Sequence, residues 1–263
     1  MRAEERQSYI LKTAQKESFV SIGTAAAFLG VSIETVRRDI NILTGKKLLR
    51  KVRGGAAPVK LPIRKDADYL LRIRQNHQEK LTISTEAAKL IRDGDVVTMD
   101  GGATTHVFAS CIHGVQDVTF VVNSLHIATI LLEKISAGEI SGRVIMIGGE
   151  LTPSNGIAAD LFAAQTVEKY HFDLAFISCS SLSASGVSNS SLSGVFVQCL
   201  MQRASSCILI AESEKVGRNS VYEFAKLTDF ERIIIDDRHP CPDDMIQLLE
   251  NSKTELTVVS CEG

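Results

Sequence analysis

Two groups of residues have types and spacings suited to binding chemistry. The first lies between Val31 and Leu43 and comprises Ser32, Thr35, Arg37, Arg38 and Asn41. A guanidinium presented from a helix can bond guanine O6 and N7 as a fork in the major groove of DNA. The second group is scattered in sequence but recurs after apolar runs: Asp100-Gly101-Gly102-Ala103-Thr104-Thr105, Asn123-Ser124, Gly148-Gly149 and Lys215. Glycines let a ligand approach the backbone, hydroxyls donate, and a helix N-terminus favours an anion. Asn123 and Asp100 suit sugar hydroxyls, while the loop 101–105 and Lys215 suit a phosphate. A phosphorylated small sugar matches that inventory. No catalytic set emerges: Asp100 and Lys215 are the acid/base candidates, and none of the six histidines is placed with them. No H-E-x-x-H and no zinc spacing occurs, so no metal and no cofactor is expected.

The elements that must position these groups follow from periodicity. Ser32 is a good N-cap, and Glu34 suits the positive end of the helix dipole. Ile33, Val36, Ile40 and Leu43 share one face at helical spacing, with Arg38 opposite and Arg37 at the flank. Taken alone, this pattern equally fits an ordinary amphipathic surface helix. Its neighbours argue for more. Residues 2–15 read as a helix, residues 22–29 as a small-residue helix ended by Gly30, and the Ser32 helix starts two residues later. Helix, short glycine turn, helix is a helix-turn-helix pattern. Two extended pieces around Gly54-Gly55 then form a small hairpin, with Lys46, Lys47, Arg50, Lys51 and Arg53 crowding it. Such a basic hairpin beside a reading helix would act as a wing that holds phosphates.

Charge separates the chain in the same way. Residues 1–60 carry 12 lysines and arginines against 5 acids, a net of +7. Residues 61–263 carry 17 against 26, a net of −9, and together these make the overall −2. A basic head on an acidic body points to a head that meets nucleic acid and a body that does not. The domains are therefore expected at 1–60 (DNA binding), 61–78 (linker and connecting helix) and 79–263 (effector binding and oligomerisation). The six cysteines form no C-x-x-C, the opening residues are charged, and no apolar run approaches a membrane span. A reduced, cytoplasmic protein is the expectation.

From residue 94 onward the pattern is strand, loop, helix, repeated. Strands are expected at 96–99, 120–122, 144–147, 174–177, 207–210, 233–235 and 256–259. Helices are expected at 104–111, 125–134, 162–169, 195–204 and 243–251, after two at 69–76 and 80–91. Continuous apolar strands separated by helices imply an α/β fold with a mostly parallel sheet covered on both faces. Ligands of such sheets bind at the carboxyl ends of the strands, where the second group of residues falls. The serine-rich segment 178–193 reads as an exposed flexible loop or an altered ligand mouth.

The run V-S-x-x-T-V-R-R-D-I over 31–40, followed by Leu49 to Ala56 with its closing Gly54-Gly55-Ala56, resembles the signature of the DeoR family of bacterial transcription regulators. The strand-end motifs also resemble that family's sensor domain. The resemblance implies a winged helix-turn-helix domain plus a sensor domain similar in fold to ribose-5-phosphate isomerase. This sequence departs from the family pattern at Arg53, in the alanine-rich second helix, at Asp160-Leu161, and at Gly194, Gln198 and Glu212. The function implied is a transcription regulator, expected to be a repressor of sugar-metabolism genes. Its expected partners are double-stranded DNA, a phosphorylated sugar and further copies of itself in a dimer or tetramer, with no membrane. The other readings are a sugar-phosphate isomerase or deaminase with a DNA-binding head, and a regulator that has lost its effector and answers to a protein partner.

Overall fold

The computed structural model describes residues 3–17, 19–45, 49–52, 54–58, 65–190 and 193–261. The chain forms two compact units, Met1–Ile63 and Arg64–Gly263.

The first unit runs α1 (Ala3–Glu17), β1 (Val20–Ser21), α2 (Ile22–Leu29), α3 (Ile33–Gly45), β2 (Leu49–Val52) and β3 (Gly55–Pro58). Ser21 caps α2 by accepting from the Thr24 amide, and Gly30 ends it in the left-handed conformation that glycine adopts without strain. Ser32 caps α3 in the same manner, accepting from the Thr35 amide at 3.2 Å. The three strands pair antiparallel in the order β1-β3-β2. Gly55 is required there, because a Cβ would overlap the Val20 carbonyl of β1. Ile10, Ala14, Ala25, Leu29, Val36, Ile40, Leu43, Leu49 and Ala56 fill the core. Ile33, expected on the apolar face of α3, is instead 51% exposed.

The second unit opens with α4 (Lys65–Arg74) and α5 (His77–Ala88), then β4 (Val96–Met99), α6 (Ala103–Cys111), β5 (Val118–Val122), α7 (Leu125–Ser136) and β6 (Gly142–Met146). It continues with β7 (Leu151–Thr152), β8 (Ile157–Ala158), α8 (Leu161–Val167), β9 (Phe172–Ile177), β10 (Ser181–Ser183), β11 (Gly186–Asn189) and α9 (Ser193–Gln202). It ends with β12 (Ala204–Ile210), β13 (Tyr222–Ala225), β14 (Arg232–Asp236), α10 (Asp243–Glu250) and β15 (Glu255–Val259). Seven parallel strands lie in the order β15-β14-β12-β9-β4-β5-β6. One face is covered by Ile83 and Ala87 of α5, Phe108 of α6 and Leu131 of α7. The other is covered by Val167 of α8, Phe196 and Leu200 of α9, and Met245 and Leu249 of α10. The chain winds outward from β4 to β6 and then returns to the far side of β4 as β9. That reversal makes the carboxyl ends of β4 and β9 the topological switch point of the sheet, the place where open α/β sheets bind ligands.

The segment after β9 corrects the sequence reading of 178–193 as an exposed loop. Its strands β10 and β11 form a hairpin that pairs with β13 in a small antiparallel sheet. Leu182 and Val187 face each other across it and are fully buried in the core. Ser181 and Ser188, also buried, bond through their hydroxyls at 3.0 Å. A serine pair satisfied across two strands needs no solvent, which is why a polar run can be interior. The two-residue strands β7 and β8 form a second hairpin that the sequence did not reveal.

Candidate functional site

In the first unit, α3 presents Arg37, Arg38 and Asn41 to solvent, opposite buried Val36, Ile40 and Leu43. Arg37 is loosely paired with Glu34 at 3.5 Å, both largely exposed. Ser32 and Thr35 are drawn together, their hydroxyls 2.9 Å apart at the N-cap. Lys51 on β2 is exposed. Arg53, Lys46 and Lys47 lie outside the described residues, as does the side chain of Arg50. Asp39, next to Arg38 in the motif, is buried: it accepts from Arg6 Nε at 2.9 Å and Gln7 Nε2 at 3.1 Å. Its role is to lock α3 to α1, so that the arginines project from a fixed base.

The rim of the second unit is built from strand ends. Asp100 follows β4, Asn123 follows β5, Ser178 follows β9 and Glu212 follows β12. Asp100 is held by Ser178, whose amide donates to Oδ1 and whose hydroxyl donates to Oδ2, each at 2.9 Å. Burial pushes the Asp100 carboxyl up to about 6, against the lowering effect of the Ser178 bonds, Thr105 and Lys215. The sequence offers Gly101 and Gly102 as room for a ligand. Here the space a Cβ would need is taken by Ile157 at Gly101 and by the Ser178 hydroxyl at Gly102. The Thr105 hydroxyl turns back to the Asp100 and Gly102 carbonyls. α6 then begins at Ala103, its N-cap Gly102 offering no side-chain bond.

Thr104 joins an ionic network. Its hydroxyl donates to Glu212 Oε2 at 2.9 Å and lies 3.2 Å from Lys215 Nζ. Lys215 pairs with Glu212 Oε2 at 2.6 Å, and Lys80 of α5 pairs with Glu212 Oε1. Two ammonium groups thus share one carboxylate beside the start of α6, and Lys215 also acts on the Asp100 carboxylate. Burial works to raise the Glu212 carboxyl, but Lys215 and Lys80 together outweigh it and hold the group down at about 2. Lys80 is lowered, because burial outweighs the support of the Glu212 carboxylate. Its ammonium also donates to the Gln75 carbonyl at 2.5 Å.

Asn123 is almost fully buried. Its Nδ2 donates to the Ala158 carbonyl at 2.8 Å, while Oδ1 has no hydrogen-bond partner among the described residues. Ser124 caps α7, accepting from the Ile127 amide at 3.5 Å. Gly148 and Gly149 are exposed, and Gly149 leaves the space occupied by the Asp160 carboxylate. Asp160 accepts from the amides of Glu150 and Ala163, and those bonds hold its carboxyl low. Asp100, the loop 101–105, Asn123, Ser124 and Lys215 therefore gather at neighbouring strand ends, whereas Gly148-Gly149 are tied to the start of α8.

Sequence reasoning missed Lys80 and Ser178. Lys80 had a signal: it stands three and seven residues before Ile83 and Ala87, on the buried stripe of α5. A lysine on an apolar stripe needs a buried anion. Ser178 had none, because one serine in a serine-rich run cannot be singled out.

Among the described residues, no three His, Cys, Asp or Glu side chains cluster as a metal site would require, and no helix is long and apolar enough to cross a membrane. Comparison with known proteins matches residues 6–60 to the DeoR-like helix-turn-helix domain and residues 75–237 to the DeoR C terminal sensor domain. The chain is 30% identical to the HTH-type transcriptional repressor GlcR of Bacillus subtilis, over 98% of this chain and 97% of the relative. It is 28% identical to the glycerol-3-phosphate regulon repressor of Haemophilus influenzae, over 100% of this chain and 99% of that one. A D-ribose-5-phosphate isomerase solved with phospho-erythronic acid is 15% identical, covering 53% of this chain and 54% of its own, with a TM-score of 0.39. Both halves of the sequence signature thus meet their counterparts, and the reading as an enzyme with a DNA-binding head gives way to that of a regulator: the chain belongs to the DeoR family of transcription regulators.

Proposed function

We propose that this chain is a repressor of sugar-metabolism genes that binds duplex DNA through α3 and the β2–β3 wing and is controlled by a phosphorylated sugar at the strand-end rim. On DNA, Arg37, Arg38 and Asn41 face the major groove, Ser32 and Thr35 set the start of the helix, and Arg50, Lys51 and Arg53 hold backbone phosphates. Residues 1–60 form the DNA-binding domain, 61–78 the connection, and 79–263 the effector and oligomerisation domain. Because one reading helix spans few base pairs, a dimer or tetramer places two helices on paired half-sites. Its place of action is the cytoplasm, where DNA and phosphorylated sugars meet.

The observation that carries the effector reading is the shared carboxylate: Lys80 and Lys215 converge on Glu212 beside the start of α6, whose N-cap makes no side-chain bond. A phosphate drawn there would meet Lys215 and the first amides of α6 around Ala103, Thr104 and Thr105. Gly101 and Gly102 keep that turn tight, and Asp100 holds it against Ser178. The unpartnered Asn123 Oδ1, with Ser124 beside it, offers an acceptor to a sugar hydroxyl. Gly148 and Gly149 form the outer margin. The names of relatives agree in kind, one being a repressor of a glycerol-3-phosphate regulon.

Titration calorimetry with a panel of sugar phosphates and glycerol 3-phosphate tests this, paired with DNA-binding anisotropy. One member is expected to bind and lower DNA affinity. Lys215→Gln should weaken that binding by about 10- to 100-fold, the loss of one charge-assisted bond, and leave DNA affinity unchanged. Heat from no member of the panel would sink the effector reading.

A further inference from the structure

Helix α4 is the first element after the DNA-binding unit in the chain. Its described side chains are largely open to solvent: Leu70 and Leu71 are 56% and 62% exposed, whereas Tyr69 is 2% exposed. The Tyr69 ring stacks on His126 of α7 with centroids 5.4 Å apart and meets His106 of α6 edge-on at 5.8 Å. Its hydroxyl lies 3.3 Å from His106 Nδ1. Burial and the nearby Asp100 carboxylate push the phenol upward, and hydrogen bonding to the Ser124 side chain pulls it back. A buried phenol is held in place by such partners. Tyr69 therefore packs on His126 of α7, two residues beyond Ser124, and on His106 of α6, one residue beyond Thr105. Ser124 and Thr105 are positions of the proposed effector rim.

We propose that Tyr69 belongs to the effector site as the group its ligand displaces: ring and hydroxyl fill the sugar half of the rim, and a bound sugar phosphate expels them and frees α4. This rests on the reading of the rim as a sugar-phosphate site. The sugar hydroxyls take over the bonds of Ser124 and His106, while the phosphate sits toward Lys215. Ligand and tyrosine compete for one set of partners, so the ligand binds best to the state in which α4 is released. That differential affinity is what a switch needs, since a ligand that binds two states equally shifts neither. The signal leaves the site along α4, toward residue 64 and the first unit.

The test uses the full-length protein, the same panel of sugar phosphates, calorimetry, and hydrogen exchange of the amides in 65–74. Tyr69→Ala empties the rim, and Tyr69→Phe removes the hydroxyl but keeps the packing. In the unsubstituted protein the ligand should accelerate exchange in α4 at least tenfold. Tyr69→Ala should exchange quickly without ligand and bind the ligand about tenfold more tightly, with Tyr69→Phe between the two. Heat from Tyr69→Ala alone, with none from the unsubstituted protein, overturns the effector reading and the latch together, since the protein as it exists then answers to no member of the panel. Ligand binding that slows α4, or that Tyr69→Ala and Tyr69→Phe leave equal or weaker, overturns the latch and spares the effector site. Absence of heat from all three proteins overturns the effector reading, and the latch falls with it.

Discussion

The two candidate surfaces of this chain hold their polar groups in opposite conditions. On α3, Arg38 and Asn41 stand in solvent, and Arg37 has one loose partner. On the rim, Asp100, Thr104, Thr105, Lys80 and Lys215 are engaged with one another, mostly out of water. The exposed set can meet DNA without rearrangement, and water is all it must shed. A ligand at the rim has to replace contacts that already exist. Only the difference between new and old contacts then counts toward affinity, and the same exchange alters the elements that carried the old ones. A preformed candidate reading surface in one unit and an internally occupied candidate sensing surface in the other are a sensible division for a regulator: one must bind firmly, the other must change state.

The largest expected effect attacks the fixed base of the reading surface. Asp39→Ala takes from Arg6 and Gln7 their shared acceptor, and loss of these two hydrogen bonds to a buried carboxylate costs about 3–5 kcal/mol. Denaturant unfolding followed by exchange of the amides in 3–45 should show the first unit failing early, while the second keeps its stability. Equal loss in both units would break the claim that Asp39 serves only the first.

Next in size is the acid response of the rim. Glu212 is held below its ordinary range, at about 2. A lowered carboxylate contributes stability that is present above its unfolded value and lost as pH falls through the folded one. The window therefore runs from about 4.5 down to about 2, and the amount at stake is on the order of 3 kcal/mol. Chemical denaturation of the full chain across that range should show a slope that Glu212→Gln removes. At pH 7 the same substitution leaves Lys80 and Lys215 facing each other, so the variant should be less stable there as well. A slope unchanged by Glu212→Gln would mean that other carboxylates govern acid unfolding.

Smaller effects sharpen the DNA side. Arg38→Ala should cost about 1–3 kcal/mol on the cognate site and relax preference at one base pair. Equal loss on cognate and random DNA would remove its reading role. Lys51→Ala, a phosphate contact, should weaken all sequences alike and lower the slope of log affinity against log salt by about one. The two variants can be compared by anisotropy titrations over a salt series.

Much of this architecture is legible from the residues. The start of α3 is written in Ser32, the end of α2 in Gly30, and β4 in Val96 to Met99, because caps and apolar runs act locally. The rim is legible as a collection of strand-end residues. What those residues do to one another is not, since partners such as Thr104 and Glu212, or Asp100 and Ser178, are brought together by sheet order. Glycine misleads in a specific way: the space at Gly101 and Gly102 was reserved for Ile157 and Ser178, which lie more than fifty residues downstream. The β10–β11 hairpin hides because serine marks both exposed loops and satisfied strand pairs. Only its cross-strand partner tells them apart.

The burial of Asp39 also bears on how genetics would map this motif. A loss-of-binding screen would score Asp39 beside Arg38 as though both touched the operator. Their alleles should nevertheless part company with temperature. Arg38 substitutions would be defective at every temperature, because a missing base contact is not restored by cooling. Conservative changes such as Asp39→Asn would behave conditionally, active in the cold and lost on warming, as the anchor between α1 and α3 gives way.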